Sequence, residues 1–268
     1  MDVGVVGAPG ENVRSPLKDK PLRLPGQSVE EQRRKLIEDR FEMPAFVAVV
    51  LFIIAGMEWG RSLSELPYSP ELYTAMALGA LSFVGWRFFR LRPQLRALRQ
   101  AAEGEKAVGQ FLEELRALGY KVFHDVVGDG FNVDHVVIGR AGVFAVETKT
   151  WSKPRTGEAK IAFDGTQLKV GDRQPDDRVV IQARAQAAWL RELLRATTGM
   201  AFDVRSVVLF PGWFIEQAPG STRDIWVLNP KALPGFLRNE EAALADSDVT
   251  LAAYHLSRFI RAKEREKT

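Results

Sequence analysis

Asp134, Glu147 and Lys149 have the residue types and spacing that could do chemistry. They lie in the stretch Asp134-His-Val-Val-Ile-Gly-Arg-Ala-Gly-Val-Phe-Ala-Val-Glu147-Thr-Lys149, which reads as two short strands joined at Arg140-Ala-Gly142. Side chains alternate faces along a strand, so Glu147 and Lys149 point the same way. Asp134 shares a face with Val136 and Ile138. Antiparallel pairing across the turn can bring all three together. Two carboxylates beside one lysine suit a divalent cation and a phosphate, the requirements of phosphodiester hydrolysis.

Two further side chains belong with them. Positions 105, 108, 112 and 115 form one helical stripe, so Glu105 faces the apolar side of its helix. Acids are seldom buried unless paired or bound to metal. Gln182 lies beside the apolar face of a later helix, with Gln186 one turn on. Each has an ordinary alternative: Glu-x-Lys is commonly a surface ion pair, Glu105 a first-turn acid favoured by the helix dipole, and Gln182 a surface amide. The combination is what carries weight.

The elements that must position these residues follow from hydrophobic periodicity. Glu103–Leu118 reads as a helix stopped by Gly119, and Tyr120–Val127 as a strand leading to a Gly128-Asp-Gly130 turn. No Walker lysine follows that turn, so it is not read as a phosphate cradle, and no dinucleotide cofactor is expected. Lys160–Phe163 and Gln167–Val170 form a possible small hairpin. Val179–Thr197 reads as a helix, Val204–Phe210 and Asp224–Leu228 as strands, and Val249 to about Lys263 as a final helix. This order makes an α/β domain.

Ahead of it the sequence changes character. Phe41–Gly60 and Leu72–Leu91 are each about 20 apolar residues, roughly 30 Å as helix, the thickness of a bilayer's hydrocarbon core. Basic residues flank both (Arg33, Arg34, Lys35 and Arg40 before; Arg87, Arg90, Arg92, Arg96 and Arg99 after). By the positive-inside rule, both termini are expected in the cytoplasm, with the short loop outside. A pair of buried core helices is the alternative. The expected organisation is a flexible tail and juxtamembrane helix over 1–40, a two-helix membrane hairpin over 41–91, a basic connector over 92–100, and a domain over 101–268. Residues 1 to about 28 are read as the flexible part of the tail.

Composition bounds the rest. The 268 residues contain no cysteine, which excludes disulfides and thiolate metal sites, and the net charge is +3. A pI near 9.1 permits an anionic partner without requiring one. His124 and His255 are isolated in sequence, and His135 should point away from Asp134, so none is read as a metal ligand. Lys153, Arg155, Lys160, Lys169 and Arg173 could form a basic rim along a nucleic-acid backbone, or a solvated loop.

Taken in order, Gly104-Glu105-Lys106 opening a helix, Phe131-Asn-Val-Asp134-His-Val-Val-Ile-Gly139, Gly142-Val-Phe-Ala-Val-Glu147-Thr-Lys149 and Val180-Ile-Gln182 resemble the NERD (nuclease-related) domain of the PD-(D/E)XK nuclease-like superfamily. The resemblance covers about residues 101–215. Val133 stands where a proline precedes the acid in the superfamily's motif. The resemblance implies a restriction-endonuclease-like core, a mixed sheet flanked by helices. It also implies Mg²⁺ or Mn²⁺ held by Asp134, Glu147 and Glu105, with Lys149 and Gln182 completing the site beside Glu105. The expected function is membrane-anchored, metal-dependent cleavage of nucleic acid, DNA first. The rival is a catalytically inactive nuclease-fold module that binds nucleic acid or a protein at the membrane, and a membrane scaffold is a third reading.

Overall fold

Residues 22–61, 69–153, 158–171, 174–219, 221 and 224–266 are described in the structure, a computed structural model. Helix α1 (Gln27–Ile37) passes through a π-helical turn, Glu38–Glu42, into α2 (Met43–Arg61). Helix α3 (Pro70–Glu113) packs beside α2 and runs 44 residues without interruption, with Pro93 accommodated inside it. The connector expected over 92–100 is therefore not a separate element. Leu95, Ala97, Leu98 and Arg96, Arg99 and Gln100 are compatible with helix, and nothing in the sequence stops one before Gly119.

The apolar parts of α2 and α3 touch chiefly each other. Trp59 Nε1 donates to Thr74 Oγ1 at 2.9 Å, and the Phe41 and Phe88 rings lie 6.1 Å apart. Phe52, Met57, Leu78 and Phe89 point outward, exposed. Both helices are long and apolar enough to cross a membrane. Their exposed apolar faces do not fit buried core helices, which would be covered by protein.

The domain is built on a five-stranded mixed sheet ordered β1-β2-β3-β6-β8. Strands β1 (Lys121–Val127), β2 (Asn132–Gly139) and β3 (Gly142–Thr148) form an antiparallel meander, and β6 (Val204–Leu209) and β8 (Ile225–Leu228) extend it in parallel. A smaller sheet, β5-β4-β7, contains the expected hairpin β4 (Lys160–Phe163) and β5 (Leu168–Lys169) plus β7 (Phe214–Gln217). The sequence reading missed β7, whose Phe-Ile-Glu-Gln run has no fully buried side chain to mark a face, and α5 (Leu233–Asn239), because a two-turn helix is too short for periodicity to register.

Both faces of the main sheet are covered, and this is why β3 reads as a continuous apolar run. Val136, Ile138, Val143 and Ala145 pack under α4 (Arg178–Thr198) and α6 (Asp246–Glu266). Val137, Phe144 and Val146 pack against Val108 and Leu112 of α3, Leu115 of the 3-10 turn that follows it (Glu114–Leu118), and Leu233 and Leu237 of α5. The α3 that carries the second apolar span therefore also forms one wall of the domain core.

The N-terminal expectation is partly corrected. Residues 1–21 lie outside the described residues, but Arg23, expected in a flexible tail, is 4% exposed. Its guanidinium reaches Asp125 on β1, Glu31 on α1 and Glu264 on α6. The loop between the two apolar helices, 62–68, also lies outside the described residues.

Candidate active site

The β2–β3 hairpin builds the centre. His135 pairs with Val146 and Val136 with Ala145, so Asp134 and Glu147 flank the end of the ladder on the face covered by α4. The Thr148 N–H donates to Asp134 Oδ2 at 2.8 Å. Asp134 is 5% exposed and Glu147 3%. A buried carboxylate must find donors, and α4 supplies them. Gln186 Nε2 donates to Glu147 Oε2 at 2.6 Å and to the Asn132 carbonyl at 2.9 Å. Gln182 Nε2 donates to Glu147 Oε1 at 2.9 Å.

Lys149 closes the group. Its Nζ donates to Glu147 Oε1 and, at 3.0 Å, to Gln182 Oε1. The Lys149 N–H is held by the Leu209 carbonyl at 2.9 Å, which continues the β3–β6 pairing one residue past the strand. The lysine's backbone is thus fixed by the sheet while its ammonium is partly open to solvent.

Glu105 arrives from α3, and Gly104 explains how. A Cβ on Gly104 would lie 2.0 Å from Thr150 Oγ1, so only glycine lets the helix touch the chain just beyond β3. Glu105 is buried, and its Oε2 has no hydrogen-bond partner. Burial, with help from the charges of Asp125 and Glu147, pushes its carboxyl up to about 8, against the pull of Lys149 and the Gly26 N–H. Burial also raises Asp134 well above the usual carboxylate range, and Glu147 and Glu105 add to this. Mutual repulsion among buried acids is typical of a functional site.

The five residues expected from the sequence thus meet as one neighbourhood: Glu147, Lys149 and Gln182 through side-chain hydrogen bonds, Asp134 through the Thr148 N–H, and Glu105 through its charge. Among the described residues no three His, Asp or Glu side chains are spaced to hold a metal ion as they stand. The donor chemistry nonetheless suits a hard divalent cation: the acids are all-oxygen ligands, one buried oxygen is orphaned, and charge repulsion within the cluster calls for a positive partner.

Three residues in or behind the site were given no role by the sequence reading, although Gln186 was noted one turn on from Gln182. Gln186 binds Glu147 more deeply than Gln182 does, and its i,i+4 spacing from Gln182 was the available signal. Asp125, fully buried with φ 51°, left no signature. The third is His124, which is isolated only in sequence: it lies opposite His135 on the β1–β2 ladder, with the two Nδ1 atoms 2.9 Å apart. His124 Nε2 lies 2.7 Å from Glu113 Oε1. A carboxylate only accepts, so His124 carries its proton on Nε2 and accepts from His135 Nδ1–H. Burial lowers the pKa of both imidazoles. His135 does face away from Asp134, toward α3, as expected. His255 makes a ring contact with Tyr254.

The expected basic rim is less coherent. Lys160 is paired with Glu216 at 2.9 Å, Lys169 is exposed, and Arg155 and Arg173 lie outside the described residues. Beside Lys149, a cleft of about 550 Å³ is lined by Gln100, Thr150, Trp151, Ser152, Asp176 and Arg178, among others.

The family model described as "Nuclease-related domain" matches residues 100–211. An uncharacterized protein of Bacillus anthracis is 41% identical over 64 residues, which is 22% of this chain and 30% of that protein. The chain therefore spans less than a third of that curated relative. No solved structure matches. Residues 100–211, carrying Glu105, Asp134, Glu147, Lys149 and Gln182, are a nuclease-related domain.

Proposed function

We propose that this protein is a membrane-anchored, divalent-metal-dependent nuclease that cleaves phosphodiester bonds, in DNA first, with a restriction-endonuclease-like core. The observation that carries the reading is the convergence of buried Asp134 and Glu147 with Lys149 and Gln182 at one strand end, under an orphaned Glu105 oxygen. Asp134, Glu147 and Glu105 would hold Mg²⁺ or Mn²⁺, which when bound supplies a more acidic water and neutralises charge at the phosphate. Lys149, tethered by Glu147 and Gln182, is placed to donate from Nζ to an attacking water or a phosphate oxygen. Gln182 keeps that ammonium oriented, and Gln186 holds the second Glu147 oxygen against Asn132.

The anchor would be the α2–α3 pair, with both basic flanks and the nuclease-related domain on the cytoplasmic side. Helix α3 then sets the reach of the site: the 14 residues from Leu91 to Glu105 span about 21 Å at 1.5 Å per residue. Only nucleic acid approaching that close to the membrane would be cut.

A second reading has one specific observation behind it. Both Glu147 oxygens are engaged by side chains, and the acids are not spaced as a ready cation site, which suits a non-catalytic module binding nucleic acid or a protein. The test is incubation of the full chain in detergent with supercoiled DNA, linear DNA and RNA, with Mg²⁺ or Mn²⁺, against Glu147→Ala. Cleavage that is lost in the variant and with chelator supports the nuclease. A wild type that binds nucleic acid and leaves every substrate intact supports the module.

A further inference from the structure

We propose that the segment Leu22–Ser28 is a strap that positions Glu105, with Arg23 and Asp125 as its fastening. This inference rests on the nuclease reading for its consequence, and on geometry for the strap itself. Arg23 Nε donates to Asp125 Oδ2 at 2.6 Å, its NH2 to Glu31 Oε2 at 2.9 Å and Ser28 Oγ at 3.1 Å, and its NH1 to Glu264. One buried guanidinium therefore ties together β1, α1 and α6.

Asp125 is dedicated to this contact. Its Oδ2 also accepts the Ser28 N–H and Oγ–H, each at 2.9 Å, and its Oδ1 accepts from Asn132 Nδ2 at 2.9 Å. With both oxygens occupied by the strap and by Asn132, Asp125 is not free to act as a ligand, although its charge is felt by Glu105. Its left-handed backbone, φ 51°, is one that aspartate tolerates better than most residues, and it turns the carboxylate out of the β1 alternation toward the strap.

Between its fastenings the strap lies along α3 on either side of Glu105. An added Cβ on Gly26 would come 3.0 Å from the Ala102 carbonyl, and one on Gly109 would come 2.4 Å from Pro25 Cγ. The Gly26 N–H lies near enough to the Glu105 carboxylate to lower its pKa against the effect of burial. Glu105 thus sits between its own helix and the strap, which packs on α3 one turn to either side of it. The strap continues directly into α1 and so into the first apolar helix. Arg23 and Asp125 act through Glu105 and are positioning residues.

Gly109→Ala provides the cleanest test, because it adds a methyl that Pro25 must vacate, removes no charge and improves the helix propensity of α3. Arg23→Ala and Arg23→Lys accompany it, all in the full chain in detergent. Three readouts are taken: amide exchange at 22–28, Mn²⁺ affinity by calorimetry, and cleavage. Gly109→Ala and Arg23→Ala are expected to speed exchange of the strap and weaken Mn²⁺ binding about tenfold, with melting of the domain still cooperative, while Arg23→Lys restores part of the affinity. A freed strap with Mn²⁺ affinity within twofold of wild type overturns the proposal while leaving the nuclease reading untouched. Mn²⁺ binding that follows the strap, without cleavage by wild type, upholds the strap and sinks the nuclease. A wild type that binds no Mn²⁺ overturns both.

Discussion

Asp134 Oδ2 accepts the Thr148 backbone N–H at 2.8 Å, so one site acid is fastened to the residue between Glu147 and Lys149. The contact locks the Glu-Thr-Lys run in register with β2. The orientation of the site is thus set by main chain, and side-chain substitutions should separate binding from chemistry.

Lys149→Ala should lower cleavage by about 10²-fold or more, the scale of losing a donor aimed at developing charge. Mn²⁺ affinity should change by only a small factor, since lysine is not a ligand. Glu147→Ala should abolish both. Calorimetry alongside a gel assay reads the two quantities. Equal loss of metal affinity in the lysine variant would count against the assigned roles.

Gln186→Leu should destabilise the domain by about 1–3 kcal/mol, the cost of leaving a buried carboxylate oxygen unsatisfied, with the loss of the bond to the part-buried Asn132 carbonyl added to it. Gln182 is exposed on its helix, so water can replace its bonds, and Gln182→Ala should cost about 1 kcal/mol or less. Urea denaturation of both variants checks the order.

Gly104→Ala should destabilise by about 1–3 kcal/mol despite its better helix propensity, because overpacking against Thr150 outweighs the gain. Its Cβ would sit 2.0 Å from Thr150 Oγ1 and 2.8 Å from Cγ2. The double variant Gly104→Ala/Thr150→Gly should recover much of the loss. A neutral Gly104→Ala in thermal melts would mean that the helix can move away from β3.

Stability should fall between about pH 5 and pH 8. Burial raises Glu105 to about 8, with Asp134 also raised. In that window the folded chain holds more protons than the unfolded one, so deprotonation favours unfolding as pH rises. The slope is at most ~1.4 kcal/mol per pH unit per proton. Melting temperatures across this range should flatten in Glu105→Gln. Mn²⁺ should stabilise more at pH 8 than at pH 5, since the acids must shed protons to bind it.

If α2 and α3 cross a membrane, the full chain should stay in the membrane fraction through an alkaline carbonate wash. Protease added to the cytoplasmic face of inverted vesicles should remove the nuclease-related domain. Release by carbonate would return these helices to a soluble context.

Much of the site was legible because its parts are local. Asp134, Glu147 and Lys149 sit on one hairpin whose register is dictated by alternation and a two-residue turn, so sequence spacing alone predicts that they meet. Glu105 and Gln182 were readable as polar residues at the edge of apolar helix faces. The apolar lengths of Phe41–Gly60 and Leu72–Leu91 likewise announce themselves, but their merging with a domain helix does not. A helix continues wherever nothing stops it, and α3 carries Pro93 within its length.

The sequence by itself therefore determined the apolar pair, the hairpin and the acids it carries, all of which follow from short-range periodicity. Only the tertiary structure decided that Arg23 joins Asp125 across 102 positions, that His124 meets His135, and that Gly104 presses α3 onto Thr150. Those contacts depend on how separate elements pack, and no pattern of spacing along the chain encodes the distance between two elements that fold onto each other.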